Sequence, residues 1–327
     1  MRLAIAPAVL ILAAAAAPAQ TGAPLLLSPW SRLGDDPRRE ARIEFSATGG
    51  RFLADTDIDG TDEELGLTEW GAEGRFKLSD RLGAAPALGF DALQLHLDTE
   101  DPALPERLGD HAVAAAWGWN LDERWRLGVV GGVGYAGTRP FAEADSLYLM
   151  GDIVLTRDLD DGSALMLSLN YHGNRSLLPD VPLPGISYSR RSGIDGLRYT
   201  VGFPYSSVVY QPDDRWMFRL GYTLPFNFQA RAEYQVADTL TAFGLFDTFT
   251  RGFWLEDDPG NNERIFFTQR RLEGGLRYEA HTGVELTAAA GYAFGQEFTA
   301  GWDARDTDDV REIDPAPYVR LGVALAF

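Results

Sequence analysis

The 327-residue sequence contains no cysteine. This excludes disulfides, a thiol nucleophile, a cysteine-ligated zinc site and a lipid-modified cysteine at a mature N-terminus. Histidine is scarce, with 4 residues, and no two stand at metal-ligand spacing. Basic residues are in deficit: 29 Lys and Arg against 48 Asp and Glu give a formal charge of -19. A chain this acidic is not drawn electrostatically to nucleic acid, though it can attract divalent cations. Beyond residue 19 no apolar run approaches the roughly eighteen residues of a membrane helix.

What is present begins with a leader. Residues 1–19 carry Arg2, an apolar core over 3–17 and a small-x-small ending at Ala17-Pro18-Ala19. They read as a secretory signal cleaved after Ala19. Residues 20–40, with Pro24, Pro29 and Pro37, read as a periplasmic lead-in.

From residue 41 to 327 a period of two takes over. Phe228, Ala230, Ala232, Tyr234 and Val236 alternate with Gln229, Arg231, Glu233 and Gln235. In a strand, such alternation gives one apolar and one polar face. Comparable runs recur at 41–52, 68–78, 87–98, 110–120, 125–135, 146–156, 163–172, 197–210, 215–224, 226–236, 240–250, 264–279 and 284–298. With the C-terminal run they predict an all-β, closed antiparallel transmembrane barrel of about fourteen strands, with about twelve as the alternative. Residues 87–98 and 240–250 stand apart because their apolar residues occupy both parities.

The connections alternate as well. Short turns at 79–83, 121–123, 158–162, 211–214, 237–239 and 281–283 alternate with mostly longer segments at 54–67, 99–109, 137–145, 173–196, 256–263 and 299–316, except at Pro225, where the link is tight. Such barrels place short turns in the periplasm and long loops outside. Trp117, Trp119, Trp125 and Trp216 lie beside short turns, while Trp70 and Trp254 flank long loops, as two interfacial aromatic belts require.

The chain ends with Val319, Leu321, Val323, Leu325 and Phe327 on one parity and Tyr318, Arg320, Gly322, Ala324 and Ala326 on the other. This ending resembles the C-terminal assembly signal of bacterial outer-membrane β-barrel proteins. The resemblance implies the cell outer membrane as location, with its lipid and the barrel assembly machinery as partners. Further motifs are Gly202-Phe203-Pro204-Tyr205, Val208-Val209-Tyr210, Pro212-Asp213-Asp214-Arg215-Trp216, Pro225, Glu233-Tyr234 and Gly291-Tyr292. Over roughly the C-terminal half these resemble a family of bacterial outer-membrane barrels of unassigned activity, so the resemblance implies the fold and no site residue.

Three candidate sites follow. Asp55, Asp57 and Asp59, followed by Gly60, reproduce the first half of a calcium loop, but Gly66 stands where the bidentate Glu belongs. A weak Ca2+ site is the most this pattern predicts, and no other cofactor is expected. His172 with Ser176 is the nearest approach to a hydrolase pair, yet parity turns His172 inward and no enzyme is expected. The third candidate is the inward face of the later strands, where Arg215, Arg219, Arg231, Glu233, Arg271, Glu273 and Arg277 fall. Facing lipid, each Arg near the midplane would cost about 2–4 kcal/mol, so these side chains should line a lumen. There they either brace the wall by ion pairing or select solutes. The expected function is a porin-like channel for passive diffusion of small solutes. The alternative is a non-conducting surface or structural barrel with cation-binding acidic loops, and a lesser one is an outer-membrane hydrolase.

Overall fold

The computed structural model describes residues 41–78, 86–139, 144, 146–191, 194–223, 227–255 and 264–327; the expected leader and lead-in lie outside them. Strands follow one another as β1 (Ile43–Phe52), β2 (Thr56–Asp57), β3 (Glu64–Lys77), β4 (Ala87–Asp98), β5 (Arg107–Asn120) and β6 (Trp125–Gly137). Next come β7 (Leu147–Asp158), β8 (Ala164–His172), β9 (Leu183–Arg191), β10 (Leu197–Phe203), β11 (Tyr205–Tyr210) and β12 (Trp216–Thr223). The series ends with β13 (Asn227–Ala237), β14 (Leu240–Trp254), β15 (Arg264–His281), β16 (Val284–Asp303), β17 (Asp306–Ile313) and β18 (Ala316–Ala326).

Setting aside the short β2 and the loop strand β17, sixteen strands form one antiparallel ring. The ring closes where β1 pairs with β18, from Glu44↔Ala326 to Phe52↔Tyr318. Phe327 N–H donates to Ile43 O, and Ile43 N–H donates back to Phe327 O, both at 2.9 Å. A closed ring leaves no sheet edge unpaired, which is what allows strands to cross lipid.

The expectation of fourteen or twelve strands is therefore corrected to sixteen. The run 197–210 is two strands, because the chain reverses at Pro204 and β10 pairs with β11. Proline has no N–H to give a ladder, and the Ser206 hydroxyl closes the turn on Gly202 O at 3.0 Å. The other added strand, β9, pairs with β8 and β10 inside what reads as one long loop. Its Leu-Pro-Gly-Ile-Ser opening masks the alternation, although Ile186 is exposed and Ser187 buried.

The outer surface is apolar. Leu149, Ile153, Val201, Leu220, Leu272 and Leu321 are all exposed, and on β18 Val319 and Phe327 share the face of Leu321 while Tyr318 is buried inward. Trp117, Trp119 and Trp216 lie at the rim that carries Phe327, here the lower rim, and Trp70 lies toward the other. Two lower turns share one device. Asp122 Oδ1 accepts the N–H groups of Arg124 and Trp125 at 2.7 Å, and Asp213 Oδ1 accepts those of Arg215 and Trp216 at 2.8 Å. Each acidic side chain thus closes the turn and aims a tryptophan into the belt.

The wall is uneven in height. β10 and β11 have 7 and 6 residues, below the roughly 9–11 a tilted strand needs to span a bilayer. β15 and β16 have 18 and 20, so their upper ends extend well beyond one span.

Candidate functional site

A sixteen-stranded ring ordinarily encloses a water-filled channel. Here the tall side of the wall leans inward and occupies part of that space. Trp254 at the top of β14 pairs with Gly137 at the top of β6, parallel, although β6 and β14 are eight strands apart in either direction round the ring. Opposite walls therefore touch at the upper rim.

The reason lies in the inward residues. Leu93, Leu95 and Leu97 of β4 pack into one buried cluster with Phe249 and Phe253 of β14, Phe267 of β15 and Phe298 of β16. Phe267 and Phe298 stack at 4.7 Å. Burying side chains of this size is worth about 1.5–3 kcal/mol each, so a collapsed interior outcompetes a hydrated one here. This also explains the two strands with apolar residues on both parities. On β4, Leu88 and Phe90 face outward in the lower half, whereas the upper half buries Leu93, Leu95 and Leu97 and turns Gln94 and His96 outward.

Polar side chains fix the crossing. Arg251 of β14 donates to Asp110 of β5 at 3.0 Å and lies 3.7 Å from Asp91 of β4. Tyr148 of β7 donates its hydroxyl to Asp110 at 2.7 Å, and its ring lies 4.8 Å from that of His172. Segment 173–182 folds down over this point. Asn174 donates from Nδ2 to Gly252 O, and Arg264, fully buried, donates to Asn174 Oδ1, Arg175 O and Trp302 O. Arg175 in turn holds Leu178 O and Val181 O. That grip keeps Leu178 at φ 50, a conformation costly for a branched side chain.

The sequence-predicted lumen residues divide into groups. Arg271 donates to both Asp247 oxygens at 2.8 and 3.1 Å and reaches Glu69 of β3 at 3.3 Å. Glu273 accepts the Tyr318 hydroxyl at 3.0 Å and pairs with Arg320. Arg277 grips both oxygens of Glu233 at 3.0 Å and lies 3.4 Å from Glu285. These pairs brace the wall. Arg215 sits exposed at the lower mouth, with Nη1 at 3.4 Å from the Tyr234 hydroxyl. Arg219 and Arg231 lie opposite one another on β12 and β13.

The interior along β8–β13 is different in kind. Its inward positions carry Ser187, Ser189, Thr200, Ser207 and Gln229, and the Ser189 and Thr200 hydroxyls bond to each other at 3.0 Å. Asp152 of β7 accepts from Asn170 of β8 at 2.6 Å. A Cβ built on Gly221, inward-facing on β12, would meet nothing within 4 Å among the described residues. The interior thus consists of a packed lobe under β14–β16 and a polar lobe along β8–β13.

Asp55, Asp57 and Asp59 do not converge. Thr56 and Asp57 are extended and pair with Leu65 and Glu64, and Asp59 N–H donates to Glu312 O across to β17. An extended strand cannot wrap alternate carboxylates around one ion. Among the described residues no group of three His, Cys, Asp or Glu could hold a metal. Beside this segment Asp101 accepts a hydrogen bond from Arg311 of β17, which holds the Asp101 carboxyl below its ordinary range. His172 does not address Ser176: its Nδ1 accepts Asn174 N–H at 3.1 Å, while Ser176 O accepts from Ala304.

No protein-family model matches the chain, and no curated protein matches it. Solved structures similar to it are bacterial outer-membrane β-barrel proteins. A Pseudomonas aeruginosa FadL homologue overlaps 87% of this chain and 89% of its own, at 12% identity and a TM-score of 0.40. The Acinetobacter baumannii outer membrane protein Omp33 overlaps 88% and 100%, at 9% identity and 0.38. The β domain of the Bordetella autotransporter BrkA overlaps 88% and 100%, at 12% identity and 0.34.

Proposed function

We propose that the protein is a channel of the bacterial outer membrane that passes small solutes through the polar lobe along β8–β13. Secretion with cleavage after Ala19 and insertion directed by Val319, Leu321, Val323, Leu325 and Phe327 belong to the same reading. So does an orientation with Phe327 at the periplasmic rim. The observation that carries it is the contrast between the two lobes. Apolar packing fills one, whereas hydroxyl and amide groups line the other and Gly221 faces open space. A narrow polar path between low-dielectric walls discriminates solutes by size and charge more sharply than a wide pore.

The second reading is a non-conducting barrel that displays its acidic upper loops. It is favoured by the contact between β14 and β6 across the ring. Planar-bilayer recording of the refolded protein separates the two. The channel reading expects a small, steady conductance, and silence at every voltage and salt concentration would leave only the structural barrel.

A further inference from the structure

Resting on the polar lobe as the solute path, we propose that it holds a binding site for small oxyanions, carboxylate or phosphate, built by Arg198, Arg219 and Arg231. Hydrogen-bonded register sets Arg198 of β10 opposite Val209 of β11, Val209 opposite Arg219 of β12, and Arg219 opposite Arg231 of β13. Alternation puts this row on the inward face, since Met217, Arg231 and Glu233 are buried while Trp216, Phe218 and Leu220 are exposed.

Like charges placed directly opposite across an antiparallel pair are destabilising. Glu233, the nearest carboxylate, already accepts Arg231 Nε at 2.5 Å and both terminal nitrogens of Arg277 at 3.0 Å. Arg231 is 6% exposed, and its Nη2 is buried without a hydrogen-bond partner among the described residues. Leaving a buried donor of a charged group unpaired costs more than an ordinary lost hydrogen bond. The guanidinium is held over the Phe243 ring at 4.3 Å, which fixes the direction of that free edge.

Arg198, Arg219 and Arg231 stand in one row, whereas the carboxylates of Asp214, Asp238, Glu279 and Glu285 lie lower, toward the mouth, so the row itself is positive within a chain of net charge -19. Room for a ligand exists beside it, because Gly221 shares the face of Arg219 two residues along β12 and its missing Cβ would meet open space. A planar oxyanion held by the half-buried Arg219 guanidinium offsets the repulsion with Arg231 and offers an acceptor to the orphan Nη2 once that edge is uncovered. Arginine offers the fork geometry that such groups match.

The test titrates inorganic phosphate into the folded, detergent-solubilised protein at constant ionic strength, read by calorimetry and by thermal unfolding. Saturable binding is expected. Arg219→Gln should weaken it about tenfold, as loss of one charge-assisted bond implies. Arg231→Gln should do the same if it folds, while Arg305→Gln in an upper turn should bind like the parent. Arg219 is only half-buried, so its variant carries the test should the Arg231 variant fail to assemble. Absence of saturable binding, or unchanged affinity in Arg219→Gln, overturns the site. Conductance recorded on the same protein separates the two claims. Conduction without phosphate binding sinks the site and keeps the channel, whereas binding without conduction keeps the site and sinks the channel.

Discussion

Arg251 of β14 reaches across the barrel to donate to Asp110 of β5 at 3.0 Å, with Asp91 at 3.7 Å on the same guanidinium. One cation therefore ties the leaning wall to two carboxylates on the facing wall. Removing one partner of a buried ion pair costs about 3–5 kcal/mol, because the other charge stays buried and unmatched. Arg251→Ala should lower the thermal unfolding temperature of the refolded barrel and raise its conductance. Parental behaviour in both would mean that the apolar cluster alone holds the crossing.

Gly221 allows a direct probe of the solute path. Filling the space it leaves with Gly221→Trp should cut single-channel current severalfold while leaving heat-modifiable gel mobility intact. The same substitution at Gly244, which faces outward on β14 and also meets nothing within 4 Å, should leave current unchanged. Equal currents in parent and Gly221→Trp would place the path elsewhere.

Assembly should depend on the outward face of β18. Leu321 is 67% exposed there, and an arginine near the bilayer midplane costs about 2–4 kcal/mol. Leu321→Arg, Leu325→Asp or removal of Phe327 should leave protein unassembled, without the mobility shift on heating that marks a folded barrel. Ala324→Ser, on the inward face, should assemble normally.

Labelling with an impermeant maleimide can test strand number and orientation together. Cysteines at Asp62 and Asp308 lie at the upper rim and should react on intact cells. Asp213 and Asp195 lie at lower-rim turns and should stay protected until the outer membrane is opened. Reaction of Asp195 on intact cells would restore a single long loop over 173–196 and remove β9 and the reversal at Pro204.

The contact between the upper segments 99–106 and 306–313 should weaken in acid. The hydrogen bond from Arg311 holds the Asp101 carboxyl below its ordinary value of 3.8. A carboxyl depressed in the folded state contributes stability above its unfolded value, and that contribution is lost as pH falls through the lower folded value. Amide protection factors in these segments, referenced to the intrinsic rate at each pH, should therefore hold near neutrality and fall below about pH 4. Asp101→Asn should show lower protection at neutral pH and lose that fall.

Alternation, together with the loop asymmetry, the tryptophan placement and the terminal run, made the barrel legible in this chain. A period of two over nearly every segment from residue 41 leaves one face for lipid, and in the terminal run Val319, Leu321 and Phe327 are exposed while Tyr318 is buried. The inward placement of Arg231, Glu233, Arg271 and Glu273 was legible for the same reason, since charge on the lipid side is too costly. Strand number was not, because Pro204 sits within an otherwise unbroken apolar run and the opening of β9 looks like a loop. Least legible was the interior. Residues 87–98 and 240–250 signalled it through apolar residues on both parities. Only the closed ring decided that Leu93, Leu95 and Leu97 meet Phe249 and Phe253, side chains more than 140 positions away in sequence. Parity fixes which way a side chain points, but which opposite wall it meets depends on ring closure, a property of all sixteen strands together.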